Sequence, residues 1–350
     1  RLPRPRRRPR MLAYTVRRLV LLVPVLLGVT LVTFLLTRII PGNPIAQLVS
    51  PLASPQERQS LIHKYGLDQP VYDQYWRYIH NLLHANLGTS FTTSQPVLHD
   101  LTSRFGATFE LTLYAMLLAL VVGIPLGIAA AVWQGRFIDH VSRVLSVGGI
   151  AFPVFWTSLT LLYLLFLRAH VLSAPYGRID PSIPAPKSIT GLYTIDSLLR
   201  GDWSAWRSSA AALILPVVVL AFGVMAPIAR ITRSGMLESL ESDYVRAARS
   251  LGLPDRTVIL RHALRNAILP VITMVAVVYG YLLGGIVLVE QIFAWPGLGQ
   301  YVFNAISASD YPAVQGFILY ATTVYVVLFL VVDLLYHAID PRVRTGRAAR

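Results

Sequence analysis

Few residues of this 350-residue chain have the type and spacing to do chemistry, and none completes a catalytic set. His80 and His84 stand four apart, a spacing that can hold a metal on one helix face, but the acidic residue of the zinc-peptidase motif is missing. Lysine occurs only at 64 and 187, after His63 and Pro186, so the Gly-Lys pair of a phosphate-binding loop cannot be assembled. There is no Gly-x-Ser-x-Gly nucleophile elbow and no His-Glu-x-x-His. There is also no cysteine, which excludes disulfides, thiolate nucleophiles and Cys-ligated metals. Glu110, Glu290 and Asp333, with His337 four residues on, lie near the ends of apolar runs. A proton relay needs acidic groups nearer the bilayer midplane, so these read as helix-end packing or pairing. The expectation is a chain without catalytic, metal or cofactor-binding residues.

One polar stretch has the makings of a docking surface instead. From Asp243 to Pro254 the chain reads Asp-Tyr-Val-Arg-Ala-Ala-Arg-Ser-Leu-Gly-Leu-Pro, then returns through Arg261, Arg265 and Asn266 to Ile268-Leu269-Pro270. Ala247, Ala248 and Leu251 are three and four apart, predicting a small-residue stripe flanked by Arg246 and Arg249. Gly252 suits the left-handed position that ends a helix, and Pro254 prevents continuation. Such a short helix can seat in another protein's groove; the alternative is an amphipathic helix lying on lipid headgroups.

The elements that must position this stretch are apolar. With 55% hydrophobic and 14% charged residues and a mean hydropathy of +0.57, the chain is expected to be an all-α, multispanning membrane protein. Six runs are long enough to cross a hydrocarbon core of about 30 Å: Leu19 to Leu36, Leu111 to Trp133, Val144 to Leu167, Ala210 to Ile228, Ile268 to Val289 and Val314 to Leu335. The net charge of +14 is a topology signal, because arginine and lysine gather on the side shared by the amino terminus, the 134–143 and 230–265 loops and the carboxyl terminus. That side is predicted to be cytoplasmic, in the plasma membrane. The reading divides the chain into a basic arm (1–18), a first span (19–37), an external helical region (38–106), a five-helix core (107–342) with an external 168–209 loop and a cytoplasmic 230–267 loop, and a tail (343–350). Gly123, Pro125 and Gly127, then Gly148, Gly149 and Pro153, then Gly280, Gly284 and Gly285 suit close helix approach or local backbone opening. Tyr114, Tyr163, Thr273, Tyr279 and Tyr281 are candidates to line a wet pathway.

The Ala pair, three residues, a Gly and a second helix returning to the membrane resemble the cytoplasmic coupling loop of permease subunits of ATP-binding cassette importers. Arg246 in place of that family's Glu, and His262-Ala263-Leu264-Arg265 in place of its Ile-x-Leu-Pro, resemble the dipeptide/oligopeptide branch. So do Gly28, Leu31 and Phe34, Tyr65-Gly66-Leu67-Asp68-Gln69-Pro70, the aromatic-rich Tyr72 to Tyr78, Glu290-x-x-Phe293-x-x-Pro296-Gly297-x-Gly299 and Asp340-Pro341-Arg342, although Asn43 stands where an Asp is usual. The resemblance implies the type I importer permease fold and an ATPase-docking helix made of Asp243, Tyr244, Arg246, Ala247, Ala248, Leu251, Gly252, Leu253 and Pro254. It implies a gate loop containing Glu290, Phe293, Pro296, Gly297 and Gly299. It further implies a homologous second permease, two ATPase subunits holding ATP and Mg, an extracytoplasmic binding protein and membrane lipid as partners, with no nucleic acid. The cargo implied is a dipeptide or short oligopeptide; nickel, glutathione, haem and peptide antibiotics stay open. An ion-coupled carrier working alone would show midplane charges and an internal repeat, and neither is evident.

Overall fold

A computed structural model describes residues 11–39, 54–65, 68–171 and 174–339. Residues 1–10 of the basic arm, Pro41 to Pro44, Gly66-Leu67, Asp340-Pro341-Arg342 and the tail 343–350 lie outside the described residues, as do the side chains of Asp333 and His337; residues 11–18 of the arm are the first turns of α1 rather than a separate segment. The described chain is helical, with one isolated bridge between Thr89 and Pro96. In order the helices are α1 (Met11–Ile39), α2 (Pro55–Tyr65), α3 (Val71–Leu83), α4 (Val97–Val132), α5 (Phe137–Ala151), α6 (Val154–Leu161), α7 (Tyr193–Arg200), α8 (Trp203–Glu241), α9 (Asp243–Ser250), the single turn α10 (Asp255–Thr257), α11 (Leu264–Ile292), α12 (Leu298–Ser307) and α13 (Tyr311–Ile339). Two π-helical segments, Leu162–Arg168 and Val258–Ala263, continue α6 and join α10 to α11.

Among the described residues, four helices are long and apolar enough to cross a membrane: Val97–Val132, Trp203–Glu241, Asp255–Leu282 and Tyr311–Val331. The expected first span corresponds to a shorter apolar stretch, Val20–Leu36, inside α1. The expected third span is not one helix. Phe137–Gly149 and Val154–Arg168 meet at a sharp bend and make one span only if counted as a broken pair. The cause is local: Pro153 disfavours the helical conformation for Phe152, which adopts φ −88° and ψ 125° instead. The fourth span begins earlier and ends later than the apolar run suggested, because Asp202 caps α8 by accepting the Ala205 N–H at 2.9 Å and the helix runs on to Glu241.

The chain forms two compact units. The first comprises the described residues up to Phe105 together with Gly297–Leu330. Here α2 opens with a reciprocal cap, the Glu57 N–H donating to Ser54 Oγ at 3.2 Å and the Ser54 N–H to Glu57 Oε2 at 2.9 Å. On α1, Phe34 is buried against Tyr75 and Tyr78 of α3, with ring centroids 5.3 and 6.0 Å away. Val97, Leu101, Leu298, Tyr301, Ala305 and Ala313 form this unit's core. Asp310 fastens the 88–96 loop to it, its Oδ2 accepting from Ser90 Oγ (2.6 Å), Thr92 N–H (3.0 Å) and Thr92 Oγ1 (2.9 Å).

The second unit, Gly106–Pro296 with the described residues from Val331, has its core between α4, α8 and α11, around Leu111, Ala115, Leu220, Ile228, Leu282 and Ile286. Small residues let α4 and α5 approach α8 closely. A Cβ on Gly127 would come within 2.6 Å of the Ala229 carbonyl oxygen and of Thr232 Cβ, and one on Gly149 within 2.8 Å of the Phe222 oxygen. These glycines serve packing. We expect Gly127→Ala to overpack the α4/α8 contact and cost ~1–3 kcal/mol. Gly28→Ala, with nothing within 4 Å, should be neutral or slightly stabilising. Thermal melts of the two purified variants check the contrast, and equal melting points would refute it.

Candidate functional site

The helix α9 forms where its residues predict, between two long helices. Only Ser242 separates it from α8. After it the chain continues through α10 and the π segment directly into α11. Its end is a Schellman arrangement: Gly252 has φ +74°, its N–H donates to the Arg249 carbonyl at 2.9 Å, and the Leu253 N–H donates to the Ala248 carbonyl at 3.4 Å. Asp243 begins the helix and pairs with Arg246 at 2.6 Å; both are exposed, so the pair adds little stability.

The predicted Ala247, Ala248, Leu251 stripe is divided between two faces. Ala248 turns inward with Val245 and is buried among Met236, Val258, Ala263 and Ala267. Ala247 and Tyr244 are exposed and Leu251 is 80% exposed. Adjacent residues on a helix point about 100° apart, so Ala247 and Ala248 cannot share a face while the chain's own core claims Ala248. The outward surface is therefore Tyr244, Ala247 and Leu251, at i, i+3 and i+7. The Tyr244 hydroxyl is anchored and titrates below the usual tyrosine value: burial raises it, but hydrogen bonding to Asn266, Ser239 and Ser242 outweighs that. This ties α9 to α8 and α11.

Two charged clusters not foreseen from the sequence hold the second unit at either end of α4's apolar run. Near the α9 end, buried Asp139 on α5 accepts from Arg143 Nη2 at 2.7 Å, from Arg233 Nε at 2.7 Å and Nη2 at 3.0 Å, and from the Gly135 N–H at 3.0 Å. Asp139 and Arg143 are at i, i+4, a signal the sequence contained; Arg233 comes from α8, 94 residues away. At the other end, Glu110 is fully buried and accepts Arg178 Nη2 at 2.6 Å, the Thr194 N–H at 2.8 Å and Thr194 Oγ1 at 2.6 Å. Arg178, in the 168–209 segment, also stacks over Tyr193 at 3.6 Å. Glu290, likewise fully buried, accepts Thr108 Oγ1 at 2.6 Å, and Trp295 Nε1 donates to the Ala107 carbonyl at 2.9 Å. Both glutamates thus stand in helix-end pairing.

The predicted gate residues fall in both units. Glu290 and Phe293 are buried in the second unit and Pro296 is exposed. Gly297 and Gly299 belong to the first, at the start of α12. Asp196 organises the 189–191 turn, accepting the Ile189, Thr190 and Gly191 N–H groups and Thr190 Oγ1 at 2.7–3.2 Å. Burial alone would raise its pKa, but these donors hold it below the usual carboxylate value.

The break between α5 and α6 borders a cavity of about 420 Å³ whose lining includes Phe152, Pro153, Phe222, Met274, Val277 and Tyr281. Of the five predicted pathway residues only Tyr281 lines it. Tyr114 and Tyr279 pack on the core, their hydroxyls sharing hydrogen bonds with Thr194 (2.9 Å) and Thr112 (3.1 Å). Tyr163 accepts from Arg168 Nε at 3.1 Å, and Thr273 is exposed. The His80 and His84 rings pack at a tilt of 39° with centroids 4.6 Å apart, and among the described residues no group of three or more His, Asp or Glu could hold a metal ion.

Comparison with known proteins agrees with this architecture. The family described as the binding-protein-dependent transport system inner membrane component matches residues 123–345, and its N-terminal companion matches 11–112. A dipeptide transport system permease protein of Alkalihalophilus pseudofirmus is 42% identical over 334 residues, 95% of this chain and 100% of that protein. A probable D,D-dipeptide transport system permease protein of Escherichia coli is 44% identical over 325 residues, 93% of this chain and 95% of that one. A glutathione transport system permease protein of E. coli is 36% identical over 334 residues, 95% of this chain and 99% of that one. These relatives are named as permeases, transport subunits rather than enzymes. With its apolar helices, its matched families and its near full-length relatives, the chain belongs to the binding-protein-dependent transport system inner membrane components: it is a multi-pass permease subunit of an ATP-binding cassette importer, with the type I fold.

Proposed function

We propose that this permease carries dipeptides and short oligopeptides across the plasma membrane, with both termini and α9 on the cytoplasmic side. Two ATPase subunits would dock on Tyr244, Ala247 and Leu251, a second homologous permease would complete the pathway, and an extracytoplasmic binding protein would deliver cargo. The observation that carries the coupling role is the packing of α9, capped at Gly252 and seated through Val245 and Ala248 on Met236 of α8, on Val258 and Ala263 of the π segment and on Ala267 of α11. A partner that closes on ATP and pulls α9 would move two long helices with it, turning ATPase motion into helix motion. The cavity at the α5/α6 break supports the transport path, because irregular backbone at membrane depth is tolerated where it is buried in protein or borders water. The dipeptide assignment leans on the names of the relatives with 40–44% identity. A glutathione importer is the second reading, favoured by the 36% relative.

The test is purification of the tagged chain from solubilised membranes, followed by reconstitution with its co-purifying subunits and the binding protein. Recovery of a second permease and ATPases, with hydrolysis stimulated by a dipeptide more than by glutathione, is the expected result. A chain recovered alone that catalyses gradient-driven flux would overturn the reading. A Gly252→Val variant adds a finer check. No atom lies within 4 Å of a Cβ at this position, so the only cost is the left-handed backbone, about 1 kcal/mol or more. We expect transport to fall while the variant inserts normally; wild-type uptake would argue against α9 as the coupling element.

A further inference from the structure

A second cavity, of about 650 Å³, opens beside the Asp139 cluster. Arg143, Arg230 and Arg233 face it, together with the hydroxyl-bearing Ser142 and Ser146. Its lining has no carboxylate, and the adjacent Asp139, which binds Arg143 and Arg233, neutralises one of three guanidinium charges. The lining then changes character along α5, ending on Val147 and Ala151. On the same helix Val144 is 71% and Val147 67% exposed, so an apolar surface adjoins the basic mouth.

Position decides what could fill it. Arg230 and Arg233 follow directly where the apolar run of α8 ends at Ile228, and Arg143 precedes the apolar part of α5. The mouth is therefore at a membrane boundary, on the face richest in arginine. From Ser142 to Ala151 the lining extends about 14 Å along the helix, whereas the polar zone of one leaflet is only about 5–8 Å deep. A free anion would occupy the mouth and leave the inner end empty. A ligand that matches the whole length has a phosphate at one end and hydrocarbon at the other. We propose that this cavity binds the phosphate headgroup of an anionic phospholipid, with an acyl chain lying along Val144, Val147 and Ala151. Guanidinium groups suit that headgroup because they offer forked donors to phosphate oxygens, and basic pockets between helices are a known form of lipid recognition. The proposal is independent of which cargo the permease carries.

The experiment is native mass spectrometry and titration of the full chain, purified with its accompanying subunits and stripped of lipid. Phosphatidylglycerol, phosphatidylcholine and inorganic phosphate are added separately. We expect a saturable phosphatidylglycerol adduct that phosphatidylcholine does not reproduce. Arg230→Gln should weaken it about fivefold, and Ser146→Leu, which fills the cavity, should weaken it independently. Neither variant removes a hydrogen bond to Asp139, and gel-filtration profiles show whether each is folded. Phosphatidylglycerol binding unchanged in both folded variants would overturn the proposal. Inorganic phosphate competing at equal affinity would also overturn it, assigning a free-anion site, and so would a Ser146→Cys crosslink to another subunit in place of lipid.

Discussion

Replacing Glu110 with leucine is expected to destabilise the permease by about 3–5 kcal/mol, the cost of removing one partner from a buried ion pair. The substitution leaves the Arg178 guanidinium, which is 8% exposed, without its carboxylate and with only the Gly191 carbonyl accepting from Nη2 at 2.7 Å, and it removes the acceptor of both the Thr194 N–H and its hydroxyl. Unpaired buried donors keep their full desolvation penalty, so the loss exceeds what the pair itself contributes. The check is the thermal inactivation profile of the purified protein beside the double variant Glu110→Leu/Arg178→Leu. Exchange of a whole buried pair for apolar side chains is often neutral or stabilising, so the double variant should melt closer to wild type than the single one. If Glu110→Leu melted like wild type, the cluster would not be what holds the 178–194 segment on α4.

The second large effect concerns the two alanines of α9, which the structure separates. Ala247→Trp leaves the chain's own core untouched, because that position faces outward. It should nevertheless weaken ATPase retention about thirtyfold, the scale of a ~2 kcal/mol interface hot spot. Ala248→Trp should instead force a large ring among Val245, Met236, Val258 and Ala267 and destabilise the permease itself by ~1–3 kcal/mol. Quantitative co-purification and melting curves separate the two. Wild-type ATPase yield with Ala247→Trp would remove the outer face of α9 from the interface. A normal melt with Ala248→Trp would contradict its inward placement.

Some of this is legible in the residues alone. Long apolar runs announced membrane-crossing helices because a bilayer demands about 20 consecutive apolar residues. The Gly252 and Pro254 pair announced the end of α9 because left-handed backbone and a missing N–H are properties of single residues. The match of motifs in order announced the permease family, later supported over almost the whole chain. The apolar run from Val144 to Leu167 marked a stretch long enough to cross, and Pro153 marked where its backbone could open, but hydropathy averages over a window and does not register the bend that a proline imposes through the residue before it. The stripe on α9 misled, since spacing says which residues could share a face but not which face the rest of the chain has already taken.

Sequence by itself therefore determined what is local: helix, cap, membrane-crossing length and the absence of a phosphate-binding loop. Only the tertiary structure decided the rest. It brought Arg233 to Asp139 across 94 residues and Arg178 to Glu110 across 68, set α8 against Gly127, and gave the cavity Tyr281 but not Tyr114 or Tyr279. The physical reason is that pairing and close packing are relations between surfaces. A residue carries its charge and size in the sequence, but its partner is chosen when helices distant in the chain compete to exclude lipid and water.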